Sequence, residues 1–125
     1  MRPEELNGST LAYLGDAVIE LMVREKVATS GMNDVGKMNE IARSYVRATE
    51  QSRAVDRIID FLTEEELTYF KRGRNTKGNT PKSASAVEYR RATGMESLFA
   101  YLYLKGDTER MRFLFGEAYK DHFNN

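Results

Sequence analysis

The sequence predicts an all-α fold of about six or seven helices, and three features carry that prediction. Leu, Met, Ala, Glu and Arg, all good helix formers, dominate the 125 residues. There are only two prolines, and alternating runs rich in Val or Thr, the mark of a strand, are few. Helix start and stop signals recur, with Ser, Thr, Asn or Asp ahead of apolar-periodic stretches and Gly behind them.

The first helix is expected to begin at Asn7 or Ser9, either of which can cap it, and to run to about Ser30 before Gly31. Leu11, Leu14, Val18, Leu21 and Met22 make one apolar stripe, and Tyr13, Ala17 and Val23 extend it beyond one face. Such a helix is either central or shared with a second subunit. After an interruption at Gly36, a second helix is expected over about 37–48, with Ile41, Tyr45 and Ala48 in register. A third over about 50–61 carries Val55, Ile58, Ile59 and Leu62. Thr63 and Glu66 form a capping box that opens a short helix bearing Leu67 and Phe70. Residues 73–83, rich in Gly and Asn and holding Pro81, read as a loop. The next helix starts near Ser83 or Ser85 and ends at about Lys105, with Met95, Leu98, Phe99 and Leu102 as its stripe. Gly106 stops it, and Asp107 caps a last helix with Met111, Leu114, Phe115 and Tyr119.

A chain of this length supports one domain with a real core. It has no cysteine, which excludes disulfides and thiolate metal sites and suits a reducing compartment. No apolar run reaches the ~18 residues of a membrane span, and MRPEELNGST lacks the basic-then-apolar order of a signal peptide. A soluble cytoplasmic protein is the expectation. Net charge is zero, but it is segregated. Residues 71–91 hold seven basic side chains (Lys71, Arg72, Arg74, Lys77, Lys82, Arg90, Arg91) against Glu88 alone, a local charge of +6. That segment is either a solvated loop or a seat for an anionic partner.

Chemistry narrows quickly. A Ser–His or Cys–His mechanism has little to work with, because the one histidine, His122, lies close to the C-terminus where chains fray. No P-loop, dinucleotide fingerprint or HExxH motif is present. Carboxylates remain, alone or with a hard divalent cation. Asp16 sits on the apolar first helix, and Glu96 lies among Gly94, Met95, Leu98, Phe99 and Ala100. Each acid is costly to desolvate without a partner. Either the two share a metal, or each pairs with an arginine such as Arg43, Arg47 or Arg90. Glu20 is placed to pair with Arg24 at i,i+4.

LAYLGDAVIEL (11–21) resembles the first signature of ribonuclease III domains, and TGMESLFAYLYLKGD (93–107) resembles the second. The likeness runs from about Leu6 to His122, and the short form with KRGRNTK (71–77) and TPK (80–82) resembles the Mini-ribonuclease III subgroup, without a double-stranded-RNA-binding domain. The resemblance implies a single catalytic domain over residues 1–125 that cuts double-stranded RNA. It implies a homodimer, Mg2+ with Mn2+ as a substitute, and products with 5′-phosphate and 3′-hydroxyl ends. Asp16 and Glu96 match the family's catalytic and metal-binding acids, whereas its other two acids fall on Ala12 and Thr93. A sparser metal site is therefore implied, with Thr93 or Glu20 as open candidates to join it. Tyr13 stands where the family inserts an aromatic into its partner; an ordinary core tyrosine is the other reading. RNA binding is expected from Lys71, Arg72, Arg74, Asn75, Lys77 and Lys82 on a loop of about 71–85. The natural substrate implied is the precursor of 23S ribosomal RNA. A non-catalytic RNA-binding module of the same fold, and a helical protein adaptor, are the competing readings.

Overall fold

A computed structural model describes residues 2–76 and 85–123. A single 3-10 turn, Pro3–Glu5, precedes α1, Gly8–Ala28. Then follow α2, Val35–Val46, and α3, Ala48–Ile58, which tightens into a second 3-10 turn, Ile59–Phe61. Next come α4, Glu64–Arg74, and α5, Ala86–Lys105; α6, Thr108–Ala118, and the one-turn α7, Lys120–Phe123, complete the chain. No strand occurs among the described residues.

The caps explain the boundaries. The Asn7 side chain accepts the Thr10 amide at 2.8 Å and starts α1, and Asp34 does the same for α2 from the Lys37 amide. Gly36 therefore lies inside the first turn of α2 and does not interrupt it. Thr63 and Glu66 form the expected reciprocal box, and Ser85 with Glu88 forms another at the start of α5. Gly106, at φ +80°, closes α5 in the left-handed region, and Asp107 caps α6.

The loop expected from Gly73 onward begins later. Residues 71–74 are the last turn of α4, whose first turn is acidic (Glu64, Glu65, Glu66) and whose last is basic (Lys71, Arg72, Arg74). That polarity matches the helix dipole, so the local charge favours helix where the glycine suggests a break.

The core sits around α5. Met95, Leu98, Phe99, Ala100 and Leu102 are almost wholly buried, and Gly94, Ser97 and Tyr101 on its other faces are buried too. Helices α1, α3, α4 and α6 all pack against it. The single apolar stripe read from sequence understates this, because small residues complete the burial. A Cβ on Gly73 would lie 2.6 Å from the Thr93 carbonyl, and one on Gly94 would meet the Phe70 ring at 2.7 Å. Both glycines let α4 and α5 approach closely. Two polar ties hold the periphery. Arg110 grips the buried Glu66 carboxylate with Nε and a terminal nitrogen, each at 2.8 Å, and joins α6 to α4. Arg57 donates to the Ala118 carbonyl at 2.9 Å.

Contact between α1 and α5 is the tightest in the molecule. A Cβ on Gly15 would sit 1.7 Å from the Glu96 carbonyl oxygen. No rotamer change relieves a clash with backbone. Gly15→Ala should therefore destabilise the fold by about 3 kcal/mol or more, lowering Tm by about 10 °C. A thermal melt overlaying wild type would show that this helix spacing tolerates a methyl group.

Candidate active site

Gly15 is followed by Asp16, and the carbonyl it touches belongs to Glu96. The backbone contact therefore places the two acids side by side. They interact directly: the Glu96 carboxyl hydrogen-bonds with that of Asp16. Burial of Glu96, then the charge of Asp16 and the hydrogen bond between them, push the Glu96 carboxyl up to about 8. Glu96 thus holds a proton near neutral pH beside the Asp16 carboxylate, the kind of perturbed acid that functional clefts contain.

Asp16 lies on the exposed side of α1, not within its apolar face. Glu96 is half-buried behind it. Among the described residues no lysine or arginine forms a salt bridge with either, so the arginine pairing with Arg43, Arg47 or Arg90 does not occur there. Glu20 is otherwise engaged, with the Arg24 Nε at 2.9 Å from its carboxylate.

The pair opens onto a cleft of about 370 Å³ lined by Ser9, Ala12, Tyr13, Asp16, Thr76, Tyr89, Thr93 and Glu96. From α1 the wall takes residues 9, 12, 13 and 16; from α5 it takes 89, 93 and 96. Both sets follow i, i+4, i+7 spacing, the signature of one helix face. Thr93 donates its hydroxyl proton to the Tyr89 carbonyl at 2.8 Å, and Thr76 donates to the Arg72 carbonyl at 3.0 Å. Their oxygens keep lone pairs for accepting. Sequence reasoning singled out neither Tyr89, Thr76 nor Ser9, although the spacing from Glu96 and Asp16 could have shown Tyr89 and Ser9.

The residues suit a hard divalent cation. Two acids already in contact, one of them holding a proton against its ordinary tendency, can exchange that proton for an ion. No cluster of three or more Asp, Glu or His side chains forms among the described residues, so such an ion would keep several waters, as Mg2+ commonly does.

The basic segment divides. Arg72 is turned inward: it donates to the Leu6 carbonyl at 3.0 Å and stacks 4.7 Å from the Tyr69 ring centroid. It lies on the last turn of α4 and not in the loop expected for it. Arg91 is likewise engaged, with the Ser52 side chain and carbonyl and the Asp56 carboxylate. Lys71 is exposed. Arg74 and Asn75, joined by a 3.2 Å hydrogen bond, share a second cleft with Val87, Arg90 and Arg91. Lys77 and Lys82 lie outside the described residues. Tyr13 is 84% exposed, so it is not a core tyrosine. His122 does not line the cleft; it packs on Tyr45 with ring centroids 4.4 Å apart, its Nε2 3.4 Å from Glu50.

The raised Glu96 carboxyl makes stability depend on pH. A carboxyl raised from 4.5 to about 8 is protonated in the folded chain over a window where the unfolded chain has lost the proton. Its contribution is complete below the unfolded value and is lost as pH rises through the folded one. Without divalent ions, wild type should lose stability from about pH 4.5 to about 8. Glu96→Gln should remove that slope, matching wild type at pH 4 and exceeding it at pH 9 by roughly 5 kcal/mol at most. Chemical denaturation at the two pH values checks this; parallel pH profiles would contradict it.

Comparison with known proteins adds a lineage. Residues 9–107 match the model of the ribonuclease III domain. The Mini-ribonuclease 3 of Desulfitobacterium hafniense is 46% identical over 115 residues, 92% of this chain and 73% of that protein. That of Symbiobacterium thermophilum is 44% identical, covering 87% of this chain and 85% of its own. A crystal structure of a Fusobacterium nucleatum protein superposes with a TM-score of 0.85 at 32% identity, over 94% of each chain.

Proposed function

Because this chain belongs to the ribonuclease III family, we propose that it is a metal-dependent endoribonuclease for double-stranded RNA, with Asp16 and Glu96 as the acids of its active site. The observation that carries this reading is the meeting of those two carboxylates at an open cleft with no guanidinium between them. Mg2+, or Mn2+ in its place, would be held by Asp16 and Glu96 and supplies a more acidic water and neutralisation of charge on the leaving oxygen. Glu96 contributes a carboxyl whose proton is retained by burial first and by the nearby Asp16 second, so its charge would favour a bound cation once that proton is lost. Thr93, its own proton committed to the Tyr89 carbonyl, offers the cleft an acceptor for a water proton. The ends produced are a 5′-phosphate and a 3′-hydroxyl.

Phosphates of the duplex are held by Lys71, Arg74 and Asn75, with Lys77 and Lys82, while Arg90 joins them and Arg72 does not. Two strands need two cuts, and a two-fold homodimer supplies two sites. Exposed Tyr13 and Leu21, two turns apart on the outer side of α1, are its contact residues. The substrate we favour is the precursor of 23S ribosomal RNA, processed in the cytoplasm. No helix among the described residues is long and apolar enough to cross a membrane.

A second reading, a non-catalytic RNA-binding module, draws support from the carboxylate count, since Ala12 and Thr93 stand where the family has acids. Asp16→Asn separates the two. The enzyme should lose about a hundredfold or more of its cleavage rate with Mg2+, while duplex affinity in a gel shift stays within about twofold of wild type. Intact duplexes after incubation of wild type with Mg2+ or Mn2+ would leave the module reading in possession. Tyr13→Ala should weaken dimerisation by about thirtyfold, the cost of a central aromatic anchor. Light scattering across a dilution series reads it, and unchanged dimerisation would move the interface elsewhere.

A further inference from the structure

Resting on the endoribonuclease reading, we infer that Tyr89 reads the sugar of the bound strand, its phenol pairing with a ribose 2′-hydroxyl next to the cut, so that the cleft itself favours RNA over DNA. The inference starts from the cleft's composition. Among the described residues, Ser9, Tyr13, Thr76, Tyr89 and Thr93 stand around the two carboxylates, five hydroxyl side chains with no Lys or Arg. Among the described residues, Thr76 and Thr93 donate their protons to helix carbonyls, while the Tyr89 hydroxyl has no partner. Tyr89 is half-buried and held on α5, the most enclosed helix, by a capping box that starts four residues earlier. A phenol so placed is an oriented donor and acceptor awaiting a ligand.

Charge decides which ligand group it takes. The scissile phosphate must reach the two acids, but beside them the described lining offers a flanking phosphate hydroxyls and no Lys or Arg. Cations occur one face around the same helix, where Arg90 and Arg74 line the second cleft. The phosphates that flank the scissile one therefore follow the cationic face, and the sugar edge beside it turns to the hydroxyl face. A 2′-hydroxyl both donates and accepts, the capacity that a phenol complements, and it is the group that distinguishes RNA from DNA. Tyr89 precedes Glu96 by two turns of α5, about 10 Å along the axis. It thus addresses a nucleotide flanking the scissile bond.

The test is Tyr89→Phe, which keeps the ring and the backbone carbonyl that Thr93 uses, assayed on duplexes in which one 2′-hydroxyl at a time is replaced by hydrogen. Wild type should lose about three- to tenfold in kcat/KM at one or two nucleotides beside the cut, the loss of one neutral hydrogen bond. Tyr89→Phe should show that loss on all-RNA duplex and no further loss at those nucleotides. An equal deoxy penalty in variant and wild type at every position overturns the inference. So does a Tyr89→Phe defect that is abolished by a neutral methylphosphonate rather than by the deoxy sugar, because the phenol would then be contacting phosphate. The same duplex series in a binding assay without divalent ion decides the point independently of cleavage. Wild type that binds but never cuts defeats the endoribonuclease reading, whereas normal cutting with a flat deoxy scan defeats the inference alone.

Discussion

The backbone of α1 rests directly on the backbone of α5 at Gly15 and Glu96, and the rest of the site depends on that approach. Ordinary side chains hold helix axes 8–10 Å apart. Removing one Cβ at the crossing lets the carbonyl of Glu96 occupy its place, and the next residue along, Asp16, is then carried to the Glu96 carboxyl. A steric vacancy and an electrostatic conflict are thus parts of one feature. The tight crossing buries Glu96 and brings Asp16 beside it, and burial first, with that neighbouring charge second, holds a proton on Glu96 well above the ordinary carboxylate range. The fold tolerates the conflict because α5 is secured on its other sides by apolar packing and by the glycine contacts with α4. Stability is given up locally at the place where chemistry needs charge.

Charge elsewhere is distributed by the same rule. Residues 71–91 carry a net +6, yet that excess is not one patch. Arg72 and Arg91 are turned onto carbonyls and a carboxylate that tie α4 to the N-terminal segment and α5 to α3. Lys71, Arg74 and Arg90 keep access to solvent. The outward cations flank, rather than line, the cleft of the two acids, so cationic and hydroxyl surfaces occupy neighbouring faces of α5. For a polyanion with a neutral sugar edge, that division gives each part of the backbone a surface of suitable chemistry.

Much of this was legible in the chain. Helix number, the Thr63–Glu66 box, the stop at Gly106 and the stripe Met95, Leu98, Phe99, Leu102 follow from local periodicity and capping, which act over a few residues, whereas α1 ends at Ala28, short of the stop expected at Gly31. The pairing of Glu20 with Arg24 is equally local. Where local signals misled, a longer-range contact had overridden them. Gly73 reads as a break but fits against the Thr93 carbonyl, and Arg72 reads as a free cation but meets carbonyls nearly seventy residues away. Glu66 reads as a cap residue alone; it also takes the Arg110 fork.

The sequence by itself determined the all-α class and which helices carry Asp16 and Glu96, because residue type and spacing state them outright. Only the tertiary structure decided that Asp16 faces solvent, that Glu96 stands half-buried behind it with a raised carboxyl, and that Tyr89 joins their cleft. Two helices separated by most of the chain can cross at many angles and depths. What selects one is the complementarity of their surfaces, here a missing Cβ meeting a carbonyl oxygen, and neither helix's sequence contains that relation by itself.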